Sequence, residues 1–162
     1  MEPSTKNRAL LVVAMLLSGG VGANCLMPWH TASWMDPGPL LGIRYIEGIL
    51  DLVLAVACFS LFLAALLARE PKRKARLAMV GTILAFGMAA MPVVLYARMA
   101  WQGHLSIYVI GGGYGGWVWG MYLAMVNGFV AAALGGLGAG RLAVRKAPVP
   151  VKLAALRRKP AP

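Results

Sequence analysis

The chain has 162 residues, of which 60% are apolar or aromatic residues or cysteine, and its mean hydropathy is +0.71. Its formal net charge is +11, but only 13% of its residues are charged, whereas a soluble domain carries about 25%. This composition excludes a soluble globular domain, a disordered chain and a nucleic-acid-binding arm, because the hydrophobicity is too high and the charges are too sparse. An integral membrane protein is the class that remains.

Four segments of the chain are suited to cross a membrane. A spanning helix needs about 20 mostly apolar residues. The segments that satisfy this requirement lie at about 9–27, 40–68, 77–99 and 114–142. The sequence therefore predicts an all-α protein, with a four-helix transmembrane bundle as the single domain over residues 1–142. The outer loops are expected to be short, the first of them too short to form a sheet, and residues 143–162 are expected to be a disordered, basic tail containing prolines.

The first span allows two interpretations. Lys6, Arg8, the apolar run 10–17 and the small residues at 21–23 resemble a cleavable signal peptide. The apolar stretch continues beyond these residues, however, and ends only at Pro28, which favours a helix that is retained. Cleavage would leave three spans and would not change the orientation of the others.

Span two, expected to start close to Pro39, carries three ionisable residues. Arg44, Glu47 and Asp51 are three and four residues apart, so they share one face of a helix. A charged group at mid-depth in a membrane costs at least ~2.5 kcal/mol, so it usually has a partner or a task. Arg98, at the outer end of span three, is a further partner for the two acids. We interpret these residues as a structural ionic cluster or, alternatively, as a proton- or cation-binding site centred on Asp51.

Span four is rich in glycine, with eleven of the 20 glycines lying between residues 111 and 140. Small residues recur there at every fourth position, a pattern that lets two helix backbones approach closely. They are Gly112, Gly116, Gly120, Ala124 and Gly128, and the row continues through Ala132 and Gly136 to Gly140. Asn127 is expected to add an interhelical hydrogen bond. The row is expected to pack within the chain or, alternatively, to form a subunit interface.

All five tryptophans fall toward the side of the membrane opposite to most of the basic residues. They are Trp29, Trp34, Trp101, Trp117 and Trp119. Amphipathic rings favour the headgroup region, so anchoring in the membrane interface is one interpretation. An aromatic-lined outer pocket or partner surface is the other.

Fourteen of the 16 basic residues fall on one side of the membrane if all four spans are present. Two precede span one, five lie between spans two and three, and seven lie at or beyond the end of span four, starting with Arg141. Because Lys and Arg accumulate on the cytoplasmic side, both termini are expected to be cytoplasmic. The basic segments are expected to contact anionic lipids at that face.

The residue inventory argues against catalysis. His30 and His104 lie in predicted loops, where they are not placed to hold a haem between helices. Cys25 and Cys58 lie at different depths, which argues against a disulfide between them, and the chain contains neither a CxxC nor an HExxH motif. We therefore expect no catalytic residues, no metal, no cofactor and no nucleic-acid partner.

With Pro28-Trp29 after the first span and a glycine-rich last span, the chain resembles small bacterial inner-membrane proteins with four spans. This resemblance of layout implies a bacterial plasma-membrane location and names no activity. The leading hypothesis is a non-enzymatic accessory, packing or interaction subunit of a membrane complex or homo-oligomer. The alternatives are a small transporter or channel component that uses Asp51, and a sensor that binds an apolar ligand at the outer aromatic face.

Overall fold

The computed structural model describes residues 3–31, 39–101 and 119–144. They form four long helices, α1 (Pro3–Cys25), α2 (Ile46–Leu67), α3 (Pro71–Trp101) and α4 (Trp119–Val144). Each helix contains a segment long and apolar enough to cross a membrane: Thr5–Cys25, Ile46–Leu67, Pro71–Arg98 and Gly120–Ala143. The prediction of an all-α protein with four helices able to span a membrane is thereby confirmed. Helix α4 continues to Val144, two residues into the tail that was predicted to be disordered. The rest of that tail and the connection before α4 lie outside the described residues.

Each helix of the bundle packs antiparallel against the next, and α4 closes the bundle against α1. The end of α1 meets the beginning of α2 at Cys25 and Asp51, and the beginning of α1 meets the end of α4 at Leu11 and Gly138. The start of α1, the α2–α3 connection and the end of α4 therefore share one end of the bundle. We call it the basic end, after Lys6, Arg8, Arg69, Lys72, Arg73, Lys74, Arg76 and Arg141.

Small side chains form much of the bundle interior, and large apolar side chains cover its outside. Buried alanines with at most 2% exposure include Ala14, Ala55, Ala85 and Ala124. Among the outward-facing side chains, Leu16, Val53 and Ile83 are each about 60% exposed. Lipid exerts no hydrophobic force that would drive large apolar side chains inward, so helices in a bilayer associate through close packing at small residues. This distribution supports a lipid environment for the bundle.

The expectation that the first outer loop forms no sheet is wrong. Strand β1 (Pro28–Thr31) pairs antiparallel with strand β2 (Pro39–Leu41), with an irregularity in register between Pro28 and His30. Strand pairing satisfies backbone donors and acceptors in the two segments that follow α1 and precede α2. The short length of the loop, on which the expectation was based, does not prevent the two segments from pairing.

Helix α2 begins at Ile46 and not close to Pro39, because tertiary contacts hold the preceding residues in another conformation. A short 3-10 helix (Gly42–Arg44) follows β2, and Tyr45 is extended, with φ −100° and ψ 144°. The Gly42 N–H donates to the Met27 carbonyl at 3.1 Å, which ties the segment to the end of α1. The chain therefore enters α2 about two turns later than its apolar pattern predicts.

Trp29 fills the space between the end of α1, the 3-10 helix and the beginning of α4. Its side chain is fully buried, and its indole N–H donates to the Asn24 carbonyl at 2.8 Å. A Cβ on Gly42 would lie 2.6 Å from the Trp29 ring, and one on Gly120 would lie 3.2 Å from it. Glycine at both positions therefore makes room for the indole.

The small-residue row on α4 is in close contact at one point and open at another. A Cβ on Gly128 would lie 2.9 Å from the Cα of Ala89 on α3, so the two backbones approach closely there. Near the basic end, a Cβ on Gly136 would be 3.5 Å from Thr82, and one on Gly140 would meet nothing within 4 Å. The row thus packs within the chain at Gly128 and leaves space at Gly140.

We expect Gly128→Ala to destabilise the bundle by about 1–3 kcal/mol, because the added methyl group overlaps the α3 backbone. The matched change Gly140→Ala enters open space and should be neutral or stabilising by up to about 1 kcal/mol, from the higher helix propensity of alanine. Reversible unfolding of the purified protein in mixed detergent micelles measures both. Equal stability of the two variants would contradict the close contact between α3 and α4.

Candidate functional site

A polar cluster lies inside the bundle at the end opposite to the basic end. One face of α2 contributes Glu47, Gly48, Asp51, Ala55 and Cys58, all of which are buried. The structure thus places Glu47 and Asp51 on a shared inward face, as their spacing of four residues predicts. The ends of α1 and α3 supply the neighbours of this face.

Arg98 of α3 forms a two-point ion pair with Glu47 of α2. Its Nε donates to Oε1 at 2.6 Å, and its Nη2 donates to Oε2 at 2.9 Å. The Glu47 side chain is 6% exposed, whereas that of Arg98 is 42% exposed. A planar guanidinium that meets both oxygens of a carboxylate gives a strong, directional contact. The pair therefore joins the beginning of α2 to the end of α3 and compensates the charge of Glu47.

Arg44 does not belong to this cluster. It lies in the 3-10 helix before α2, its side chain is exposed, and it forms no ion pair with any described residue. The sequence reasoning placed Arg44 on the helical face of Glu47 because it assumed that α2 starts close to Pro39. Since Tyr45 is extended, the helical spacing between Arg44 and Glu47 does not apply.

Asp51 is fully buried and only weakly hydrogen-bonded. The thiol of Cys25, at the end of α1, donates a long hydrogen bond to Oδ2 of Asp51, with 3.8 Å between the sulfur and the oxygen. The other oxygen, Oδ1, has no hydrogen-bond partner in the part of the chain that the structure describes. Arg98 pairs with Glu47 and not with Asp51. A buried carboxyl with an unsatisfied oxygen is costly in a membrane interior, so Asp51 is the one member of the cluster that packing alone does not account for.

Tyr45 adds a second unsatisfied polar group at the entrance to α2. Its hydroxyl is buried and has no hydrogen-bond partner among the described residues. Burial raises the pKa of the Tyr45 phenol above its usual value of 10.0, and the positive charge of Arg98 acts in the opposite direction. Tyr45 therefore remains a neutral phenol at physiological pH.

Sequence reasoning missed Cys25 and Tyr45 as neighbours of the acidic residues. Cys25 reaches Asp51 because α1 packs against α2 near Gly22, where a Cβ would be in ordinary van der Waals contact, at 3.6 Å, with Ala55 and Leu52. Gly22 and Cys25 are three residues apart on α1, so they share a face, and this spacing is the signal that was available. The position of Tyr45 depends on the strand pairing before α2, which no local spacing of residues predicts.

The two cysteines are both buried and free. Cys25 lies beside Asp51, whereas the Cys58 thiol faces the Gly81 carbonyl of α3 at 3.5 Å. Within the described residues, no group of three or more His, Cys, Asp or Glu side chains is placed to hold a metal ion.

The other predicted residues are dispersed. Gly120 and Ala124 are buried in α4, and Asn127 is half-buried, with its amide nitrogen 3.3 Å from where a Cβ on Gly20 would lie. Trp101, at the end of α3, is 93% exposed, in contrast to the fully buried Trp29. Trp119 begins α4, and its side chain is outside the described part. Four further predicted residues lie outside the described ranges: Trp34, Gly112, Gly116 and Trp117.

Comparison of the chain with family models, with curated proteins and with solved structures found no match. A functional assignment therefore depends on the residues of the bundle and their geometry. The polar cluster joins α1, α2 and α3. It also buries the carboxyl of Asp51, which has no strong partner in the described part of the chain.

We expect Arg98→Gln to destabilise the bundle by roughly 1–3 kcal/mol, because it leaves the buried Glu47 carboxylate without its ion pair. The double variant Glu47→Gln/Arg98→Gln should recover part of this loss, since both charges are then absent. Arg44→Gln is the matched control, because Arg44 is exposed and forms no ion pair with a described residue. Unfolding in mixed micelles measures the three stabilities. If Arg98→Gln is as stable as Glu47→Gln/Arg98→Gln or more stable, the result would count against a stabilising ion pair between Glu47 and Arg98.

Proposed function

We propose that the chain is a non-enzymatic integral membrane protein that acts as an accessory or interaction subunit of a membrane complex. The observation that carries this proposal is that Glu47 is already paired: Arg98 holds both of its carboxylate oxygens. Asp51 has no exposed surface. The ion pair joins α2 to α3, and the outer surface of the bundle is then the part that is available to other molecules.

The inner face of α4 is already occupied within the chain. Gly120 lies against Pro28 and Trp29, and Gly128 lies against Ala89. A partner helix would therefore contact outward-facing residues, such as Val53 on α2 or Ile83 on α3, and not this part of the small-residue row. This arrangement favours the packing interpretation of Gly120 and Gly128 over the subunit-interface interpretation.

The proposal includes the bacterial plasma membrane as the location and a cytoplasmic position for both termini. It is supported by the gathering of described basic residues at one end of the bundle. Because positive charge marks the cytoplasmic side, the basic end is the one that would face the cytoplasm. A reporter that is active only in the cytoplasm, fused after Pro162, checks this orientation.

We expect a photo-crosslinking residue to capture a protein from some outward positions and only lipid from others, because a subunit buries one face against its partner. The positions to compare, one on each helix, are Leu16, Val53, Ile83 and Val126, all of which are exposed. Native mass spectrometry of the protein extracted with its lipids measures the assembly. A species of 17.1 kDa alone, with lipid as the product at all four positions, would overturn the proposal.

A second candidate function is suggested by the unsatisfied Oδ1 of Asp51. A carboxyl oxygen with no donor among the described residues is suited to bind a proton or a cation during transport. The full burial of Asp51 means that such a role needs a conformational change that opens the cluster. This candidate is therefore the runner-up.

If Asp51 takes part in transport, Asp51→Asn should reduce proton- or cation-driven flux into liposomes at least about tenfold, because the amide does not titrate. Ser60→Ala is the control, since Ser60 is exposed on the same helix and its hydroxyl donates only to the Val56 carbonyl. Flux that is unchanged in Asp51→Asn, or absent from the unmodified protein, rejects this second candidate. The sensor hypothesis gains no support from Trp29, which is buried and not presented to a ligand.

A further inference from the structure

A groove of about 990 Å³ opens between α1, α3 and α4 at the basic end of the bundle. Its floor is formed by small residues of α4, including Gly136 and Gly140, and two of its walls are Phe86 of α3 and Leu137 of α4. Both wall residues are about half exposed. The polar cluster lies at the other end of the bundle, so the groove is separate from it.

The groove opens toward the end of the small-residue row of α4, where a Cβ on Gly136 would still be in ordinary contact distance of Thr82 but Gly140 has no close neighbour in the described part of the chain. At Gly128 the row touches the backbone of Ala89, whereas a side chain at Gly140 would meet nothing within 4 Å. Small residues in a membrane bundle ordinarily permit close helix contact. Near the basic end these small residues instead leave an apolar groove, which a flexible hydrocarbon chain can fill.

The rim of the groove is polar and positively charged. Lys6 and Arg141 line it, both are exposed, and neither forms an ion pair with a described residue. No acidic residue lines the groove among the residues that the structure describes. Two cations that have no ion-pair partner within the described ranges, beside an apolar groove, complement a ligand that has an anionic head and an apolar body.

A polar side chain of α1 also lies in the groove. Asn7 lines it and is only 6% exposed as a whole residue. Its amide atoms are not among the fully buried side-chain atoms that lack a hydrogen-bond partner in the described ranges, so the amide keeps exposed surface in the groove. The amide of Asn7 is placed to donate to an acceptor held between Lys6 and Arg141, such as a phosphate oxygen.

We propose that this groove binds an anionic phospholipid from the leaflet at the basic end. One acyl chain lies between Phe86 and Leu137 over Gly136 and Gly140. The phosphate is held by Lys6 and Arg141, with the Asn7 amide as a further donor. The bound lipid fills the groove between α1, α3 and α4. This proposal does not depend on the function proposed for the outer surface.

The test measures phospholipid binding to the full chain by native mass spectrometry in detergent. Phosphatidylglycerol is titrated against phosphatidylcholine with the same acyl chains, and inorganic phosphate is added separately at equal concentration. We expect the unmodified protein to prefer phosphatidylglycerol, and Lys6→Gln/Arg141→Gln to lower that preference on the order of tenfold. Free phosphate should neither bind nor displace the lipid, because it has no chain to fill the groove.

Two further variants separate this site from general attraction to positive charge. Arg69→Gln/Arg73→Gln removes the same number of charges at the basic end, from exposed residues that do not line the groove. It should leave the preference within about twofold, since each phosphate contact is local. Gly140→Leu fills the open space and should weaken retention of both lipids, because each needs room for its acyl chain.

Three outcomes would overturn the proposal. The first is equal loss of preference in the two charge variants, which would indicate a diffuse electrostatic effect. The second is unchanged lipid retention in Gly140→Leu, which would place the acyl chain elsewhere. The third is a dimer whose groove is covered by a second copy of the chain. If Gly140→Leu does not fold, the comparison of the two charge variants still decides, because their four residues are exposed.

Discussion

Close approach of helix backbones at small residues is the constraint on which this bundle depends. Lipid does not drive large apolar side chains inward, so the helices are held by short contacts at alanine and glycine. Gly128 brings the backbone of α4 onto that of α3, where a Cβ would lie 2.9 Å from the Ala89 Cα. Gly42 and Gly120 make the space that Trp29 fills at one end of the bundle. The groove opens where these close contacts are absent.

The polar cluster lies where α1, α2 and α3 meet at one end of the bundle. Near Gly22 α1 is in van der Waals contact with α2, and Cys25, three residues further along α1, lies beside Asp51. The end of α3 brings Arg98 to Glu47, so one acid gains a charged partner and the other gains only a thiol. Three helices thereby share a polar contact at one end of the bundle. The ion pair of Glu47 favours a packing function, whereas the unsatisfied oxygen of Asp51 is the feature on which a transport function would depend.

At the basic end the same small-residue row has the opposite effect. Gly136 and Gly140 continue the spacing of Gly128, but a Cβ on Gly136 would only reach ordinary contact with Thr82 of α3, and one on Gly140 would meet nothing within 4 Å. The result is an apolar groove whose rim carries Lys6 and Arg141. The bundle is therefore closely packed at the end that buries Glu47 and Asp51, and it has a groove at the basic end, where the charged side chains are exposed. A membrane lipid suits the open end for the same physical reason that a protein partner suits the outer surface, namely that apolar area there is not covered by the chain itself.

The sequence by itself determined the class of protein, the number of helices and the inward face of α2, because length, hydropathy and a spacing of four residues are local properties. It did not determine where α2 begins, since the strands at 28–31 and 39–41 are fixed by pairing between distant segments. It also left open which partner Arg98 takes and which part of the α4 row is covered. Only the tertiary structure decided these points, because they depend on how closely neighbouring helices approach, and that distance is not encoded in any single helix.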